Sequence, residues 1–230
     1  MLKYLIILST LVSTQLAAQE CVILLHGLAR SNQSMAKLAK RLDRANYLSI
    51  NYDYPSTQYT IEELAATTLP DALAQCPPES KVHFVTHSMG GILLRQYLSS
   101  NEIDNLGRVV MLGPPNQGSQ VVDKLRNTPG YQLINGPAGL QLGTDAESVP
   151  NRLGPVDFEL GVIAGTRSIN LILSTMLPNP DDGKVSVENT KLEGMTDHIE
   201  MPVTHPFMMK NKAVMDQVLF FLKNGAFSRE

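Results

Sequence analysis

The chain has 230 residues, 43% of them hydrophobic and 18% charged, which suits one domain with a sizeable core. Its 19 basic and 22 acidic residues give a formal charge of −3 with no block of Lys or Arg, so a nucleic-acid partner has no electrostatic footprint. Acidic residues are equally dispersed, and charge therefore says nothing of the substrate.

The N-terminus reads as a secretory signal. Lys3 supplies a positive start, Tyr4 to Val12 is almost wholly apolar, and a small, polar stretch ends in Ala17-Ala18. Residues 1–18 are expected to be removed, leaving 19–230 as the folded domain. The apolar run is too short to span a bilayer as a helix, so no membrane span is expected after cleavage, and the product is exported to periplasm or medium. Gln19-Glu20 before Cys21 lacks the lead-in of a lipoprotein site. Cys21 and Cys76 are the only cysteines, and export places them in an oxidising compartment. A disulfide between them and a pair of free thiols both stay open.

Apolar strands then alternate with amphipathic helices. Cys21 to His26 is a strand, Ser34 to Ala45 a helix, Tyr47 to Tyr52 a strand, and Ile61 to Ala74 a helix stopped by Pro77-Pro78. A strand over Lys81 to Thr86 leads into a helix over Met89 to Ser100, and Arg108 to Leu112 is a fourth strand. Residues 113–157 are rich in Gly, Pro, Asn and Gln, with weak periodicity around Val121 to Leu125. Phe158 to Ala164 and Asp197 to Val203 are the last strands, and Lys210 to Leu222 a closing helix. This alternation predicts an α/β fold, a mostly parallel sheet of about six strands in order 2-1-3-4-5-6 with helices on both faces. Ligands bind at the switch between strands 1 and 3, outside their carboxyl ends.

Two segments end at that switch. One is Thr86-His87-Ser88-Met89-Gly90-Gly91, between a strand and a helix. A serine hydroxyl becomes a useful nucleophile when a base takes its proton and a sharp turn presents it, with small neighbours letting strand and helix approach. Thr86 stands where the G-x-S-x-G pattern has Gly, and a serine before x-Gly-Gly is also an ordinary helix cap. The other segment is His26-Gly27-Leu28-Ala29-Arg30. The backbone N–H groups of Leu28 and Met89 are assigned as the oxyanion donors. His26 is read as a loop-shaping residue or a plain buried histidine.

With these pieces the chain resembles the α/β-hydrolase superfamily, and within it the small bacterial lipases and esterases. The resemblance runs from Val22 to about Leu222. It rests on Ile23-Leu24-Leu25-His26-Gly27-Leu28, His83 to Gly91, Asp181-Asp182-Gly183-Lys184-Val185 and Val203-Thr204-His205. It implies the chain order Ser, acid, His: Ser88, Asp182 and His205. Asp181 is the runner-up acid, because the family places the acid directly before the Gly; a turn-forming Asx pair is the plain alternative. Of the other histidines, His83 lies inside a strand, His87 in the elbow, and His198 at the wrong end of the sheet.

The implied reaction is hydrolysis of a small-molecule or lipid carboxylic ester through an acyl-enzyme on Ser88, with no metal or organic cofactor required. A phospholipase, a thioesterase and a lipid acyltransferase would share the triad, and a binding protein without catalysis would share the fold. In the 113–157 excursion, Tyr131, Leu133, Ile134, Leu140 and Leu142 are candidates for an acyl pocket or lid, against the reading of a packed surface segment. No chemistry is assigned to Ser119.

Overall fold

The computed structural model describes residues 19–229; the signal-peptide reading of residues 1–18 lies outside them. Strand β1 (Cys21–Leu25) leads through a 3-10 turn to helix α1 (Ala36–Asp43), then β2 (Leu48–Tyr52), α2 (Ile61–Leu73), β3 (Val82–His87), α3 (Met89–Leu98) and β4 (Leu106–Leu112). Three short helices follow, α4 (Gln120–Leu125), α5 (Tyr131–Leu140) and α6 (Val149–Arg152). After them come β5 (Leu160–Gly165), α7 (Leu171–Ser174), α8 (Val187–Thr190), β6 (Asp197–Met201) and α9 (Lys212–Asn224). No helix among the described residues is long and apolar enough to cross a membrane.

The six strands form one parallel sheet in the order β2-β1-β3-β4-β5-β6, as the alternation predicts. The pleat sends alternate residues to opposite faces, and two cores result. Cys21, Ile23, Leu25 and Phe84 pack with Ile61, Leu64 and Leu69 of α2 and Ile92 of α3. Val22, Leu24, Val85 and Val110 pack with Leu38 and Leu42 of α1 and Val214, Val218 and Phe221 of α9. Strands buried on both faces are why these segments read as unbroken apolar runs.

Boundaries move by a few residues where local hydrogen bonding decides them. Asn32–Ser34 winds as a 3-10 turn, so α1 begins at Ala36 instead of Ser34. α2 opens on a capping box between Thr60 and Glu63. α9 starts after Asn211, whose side chain accepts from the N–H groups of Ala213 and Val214, and stops at Gly225 in the left-handed region (φ 77°). β4 begins two residues before Arg108, and β6 ends two before Val203, where Val203 N–H turns back to the Met201 carbonyl.

The segment 113–157 carries secondary structure that its sequence pattern does not announce. It is helical over three short stretches, and Val122, Ala138, Leu142 and Val149 are buried in the α2/α3 core. Its weak periodicity comes from helices too short to show a face, one of them kinked at Gly136 before Pro137. Buried Arg95 of α3 ties it down: its guanidinium donates to the carbonyls of Asn116, Pro150 and Gly154.

Cys21 and Cys76 form a disulfide. It joins the start of β1 to the segment after α2, beside the start of β3, where Cys21 pairs with Val82.

Candidate active site

Register brings the two expected segments together. β1 and β3 pair with Leu25 opposite Thr86, so the chain leaves both strands side by side at their carboxyl ends. Gly27 is small because a Cβ there would stand 2.8 Å from His87 Nδ1 and 3.1 Å from Ser88 Cβ. Gly90 is required on the other side, since its Cβ would lie 2.6 Å from the Leu25 carbonyl oxygen.

Ser88 occupies a strained elbow, with φ 54° and ψ −124°. A non-glycine residue there is uncommon and persists only where its surroundings impose it. Here Ser88 N–H donates to the Leu112 carbonyl at 2.9 Å, and the Ser88 carbonyl accepts from Gly91 N–H at 3.0 Å. The departure at Thr86 has a local reason. A Cβ on Gly91 would lie 3.1 Å from Thr86 Oγ1, so the absent side chain at 91 makes the room that Thr86 takes.

Asp182 and His205 meet from the loops after β5 and β6. His205 Nδ1 lies 2.7 Å from Asp182 Oδ2, and His205 N–H donates to the Asp182 carbonyl at 3.0 Å. Asp182 Oδ1 accepts from the N–H groups of Lys184 and Val185, both at 2.9 Å, which fixes the carboxylate. Asp181 points elsewhere: its carboxylate accepts from Gly183 N–H and Ser174 Oγ. The carboxylate partner requires a proton on Nδ1, leaving Nε2 as the basic nitrogen.

Ser88 and His205 line one cavity of about 360 Å³, in the range of small-molecule sites, with Asp182 buried behind His205. No hydrogen bond joins Ser88 to His205 among the described residues; such contacts often tighten only when substrate is bound. The backbone N–H groups of Leu28 and Met89 likewise have no acceptor among the described residues. Tyr131, Ile134 and Leu142 from the excursion line the cavity, together with Val121 and Val122. Leu133 does not: it is 90% exposed, and Leu140 faces a separate surface depression.

The other histidines have separate partners. His26 stacks on Tyr54 with ring centroids 4.0 Å apart, and its Nδ1 lies 2.9 Å from the Gly27 carbonyl. The Tyr54 hydroxyl donates to the His26 carbonyl, so this pair shapes the turn that carries Leu28. His83 is buried, but at the polar amino end of the sheet, accepting from Arg108 N–H over Gly107. His198 contacts Thr190 Oγ1 near the start of β6. His87 donates from Nε2 to the His205 carbonyl at 3.0 Å, and burial, then the neighbouring His205, hold its pKa well below 6.5. It is therefore a neutral brace under His205.

Tyr54 and His87 as supports were missed by sequence reasoning, because their partners are distant in the chain. Ser119 also lines the cavity and ties two loops together, its Oγ donating to the Lys184 carbonyl at 2.6 Å.

A parallel sheet in this order, with a sharp strand-to-helix turn at its topological switch, is the α/β-hydrolase fold, which this chain has. No family model matches the sequence, and no curated protein matches it. Solved structures do. The mature form of the Bacillus licheniformis lipase BlEst2 is similar with TM-score 0.65 at 19% identity, over 89% of this chain and 92% of that one. The metagenomic carboxyl esterase MGS0156 gives 0.65 at 17% identity, over 82% of this chain and 65% of that one. The type II thioesterase YbtT gives 0.60 at 13% identity, over 91% and 95% respectively.

Proposed function

We propose that the protein is a serine hydrolase of carboxylic esters, with Ser88 as nucleophile, His205 as base and Asp182 as its orienting acid. The observation that carries this reading is the strained Ser88 elbow opening into the same cavity as a histidine held by a buried carboxylate at 2.7 Å.

His205 Nε2 would take the Ser88 proton as Oγ attacks the ester carbonyl carbon. The negative charge then forms on the carbonyl oxygen, where the N–H groups of Leu28 and Met89 stabilise it, each worth roughly 3–4 kcal/mol where such donors have been tested. Collapse of the tetrahedral species breaks the ester C–O bond, and His205 returns its proton to the leaving alcohol. Water attacks the acyl-enzyme by the same sequence in reverse, releasing acid and free Ser88. The wall of Val121, Val122, Ile134 and Leu142 suits the acyl chain. A thioester or phospholipid substrate, or an alcohol acceptor, would use the same steps as far as the acyl-enzyme. Export is part of the proposal and draws support from the Cys21–Cys76 disulfide.

The test is hydrolysis of p-nitrophenyl esters of graded chain length beside Ser88→Ala, with fluorophosphonate labelling. Wild-type turnover should fall by about 10⁴-fold or more in the variant. A folded protein that neither turns over any ester nor takes the label would be a binding protein on a hydrolase fold.

A further inference from the structure

Two cations flank the cavity without protein partners. Arg30 and Lys184 both line it, and neither guanidinium nor ammonium has a hydrogen bond or ion pair among the described residues. No Asp or Glu lines the cavity with them. By contrast, Arg126 and Arg152 on the excursion pair with Asp145 and Glu62.

The carboxylates around the cavity do not line it with the two cations. Asp53 is exposed and accepts through Oδ1 from Asn32 N–H at 2.8 Å, beside the β1 turn. Asp182 is committed to His205 and to two backbone N–H groups.

The cations ride on anchored backbone. Arg30 follows Ala29, which has φ 52°, on the turn that carries Leu28. Lys184 donates its N–H to Asp182 Oδ1, and its carbonyl accepts from Ser119 Oγ. They also feel each other. The Lys184 ammonium has a lowered pKa, first through partial desolvation and then through the charge of Arg30. The Asp182 carboxylate pulls the other way and offsets part of this repulsion; a bound oxyanion would relieve the remainder and satisfy the unmet donors. The same cavity is also lined by the apolar Val121, Val122, Ile134 and Leu142.

We infer that Arg30 and Lys184 form an oxyanion subsite beside Ser88, so that the preferred substrates are amphiphilic esters carrying a phosphate or carboxylate near the scissile bond. This rests on the ester-hydrolase reading for its turnover arm, but the subsite itself can be tested by binding.

The binding arm titrates Ser88→Ala protein with n-octyl phosphate, octanoate and neutral n-octyl glucoside, in the presence and absence of Arg30→Gln/Lys184→Gln. Both replaced side chains reach solvent and hold no protein partner, so the fold persists. One or both anions should bind roughly tenfold tighter to the parent than to the double variant, with the gap shrinking in high salt. Comparing octyl phosphate with octanoate tells phosphate from carboxylate. The turnover arm compares an octanoyl monoglyceride with its 3-phosphate in otherwise native protein. Their kcat/KM ratio should favour the phosphate and collapse toward one in the double variant, whatever the absolute rates. Anion affinity indifferent to the double substitution would overturn the subsite. So would a substrate ratio of one in the unsubstituted protein alongside hydrolysis of both esters. If neither ester is hydrolysed while anion binding still depends on Arg30 and Lys184, the hydrolase reading fails and the subsite stands.

Discussion

Asp181 and Asp182 are adjacent, identical in chemistry and both buried, yet they face different partners. Asp182 touches His205 Nδ1, whereas Asp181 closes the loop through Ser174 and Gly183. Asp182→Asn removes the acceptor that selects the His205 tautomer, and an amide NH₂ facing Nδ1 favours the wrong one. We expect kcat for ester hydrolysis to drop by about 10³–10⁴-fold with the fold intact. Asp181→Asn keeps the His205 contact and should cost less than about tenfold, showing instead as reduced stability from weaker loop hydrogen bonds. Steady-state kinetics and thermal melts on the pair separate the roles, and equal kinetic losses would contradict the assignment.

Elements act by bringing these residues to one end of the sheet. The in-register β1/β3 pairing sets the Leu28 turn against the Ser88 elbow, and β5 and β6 deliver Asp182 and His205 from the other half. The disulfide secures this arrangement at the opposite, amino end of β1. Its two cysteines are 55 residues apart and enclose α1, β2 and α2, so the link removes much freedom from the unfolded chain. Cys21→Ser/Cys76→Ser should lower unfolding free energy by about 2–4 kcal/mol. It should shift the urea midpoint while leaving kcat little changed, because the link is remote from the cavity. An unchanged midpoint would show that the disulfide contributes nothing to stability.

At the scale of the whole molecule, buried histidines tie stability to pH. Burial is the first cause lowering the pKa of His26, His87 and His198 below 6.5. Below that value the unfolded chain takes up protons that the folded chain refuses. Their stabilisation is therefore complete above about pH 6.5 and is lost as pH falls toward the depressed folded values. Melting temperature should decline between about pH 7.5 and pH 5.5, by about 2–4 °C per kcal/mol lost. Asp197 and Asp216 act in a separate window. Arg229 and Lys212 respectively hold their pKa values below 3.8, so their contribution is lost only at lower pH. A flat or rising melting temperature over the first interval would overturn the histidine account.

The strands, their order and the Ser88 turn were legible in the sequence because each rests on local pattern. Buried parallel strands write unbroken apolar runs, helices write a 3.6-residue period, and a strand-to-helix turn leaves small residues around Ser88. Asp182 and His205 became candidates through their places after the late strands and through resemblance; their 2.7 Å contact spans 23 positions and has no local signature. The excursion was not legible. Its helices are short, and their burial depends on the α2/α3 core and on Arg95, partners distant in the chain. Sequence alone thus determined the fold class, the switch point and the candidate nucleophile, all set by neighbouring residues along the chain. Tertiary structure decided that the two cysteines are bonded, that Ile134 lines the cavity and Leu133 does not, and that Arg30 and Lys184 line it without hydrogen-bonded partners beside Ser88. Those facts depend on which distant loops share a space, a matter of packing that no local pattern encodes.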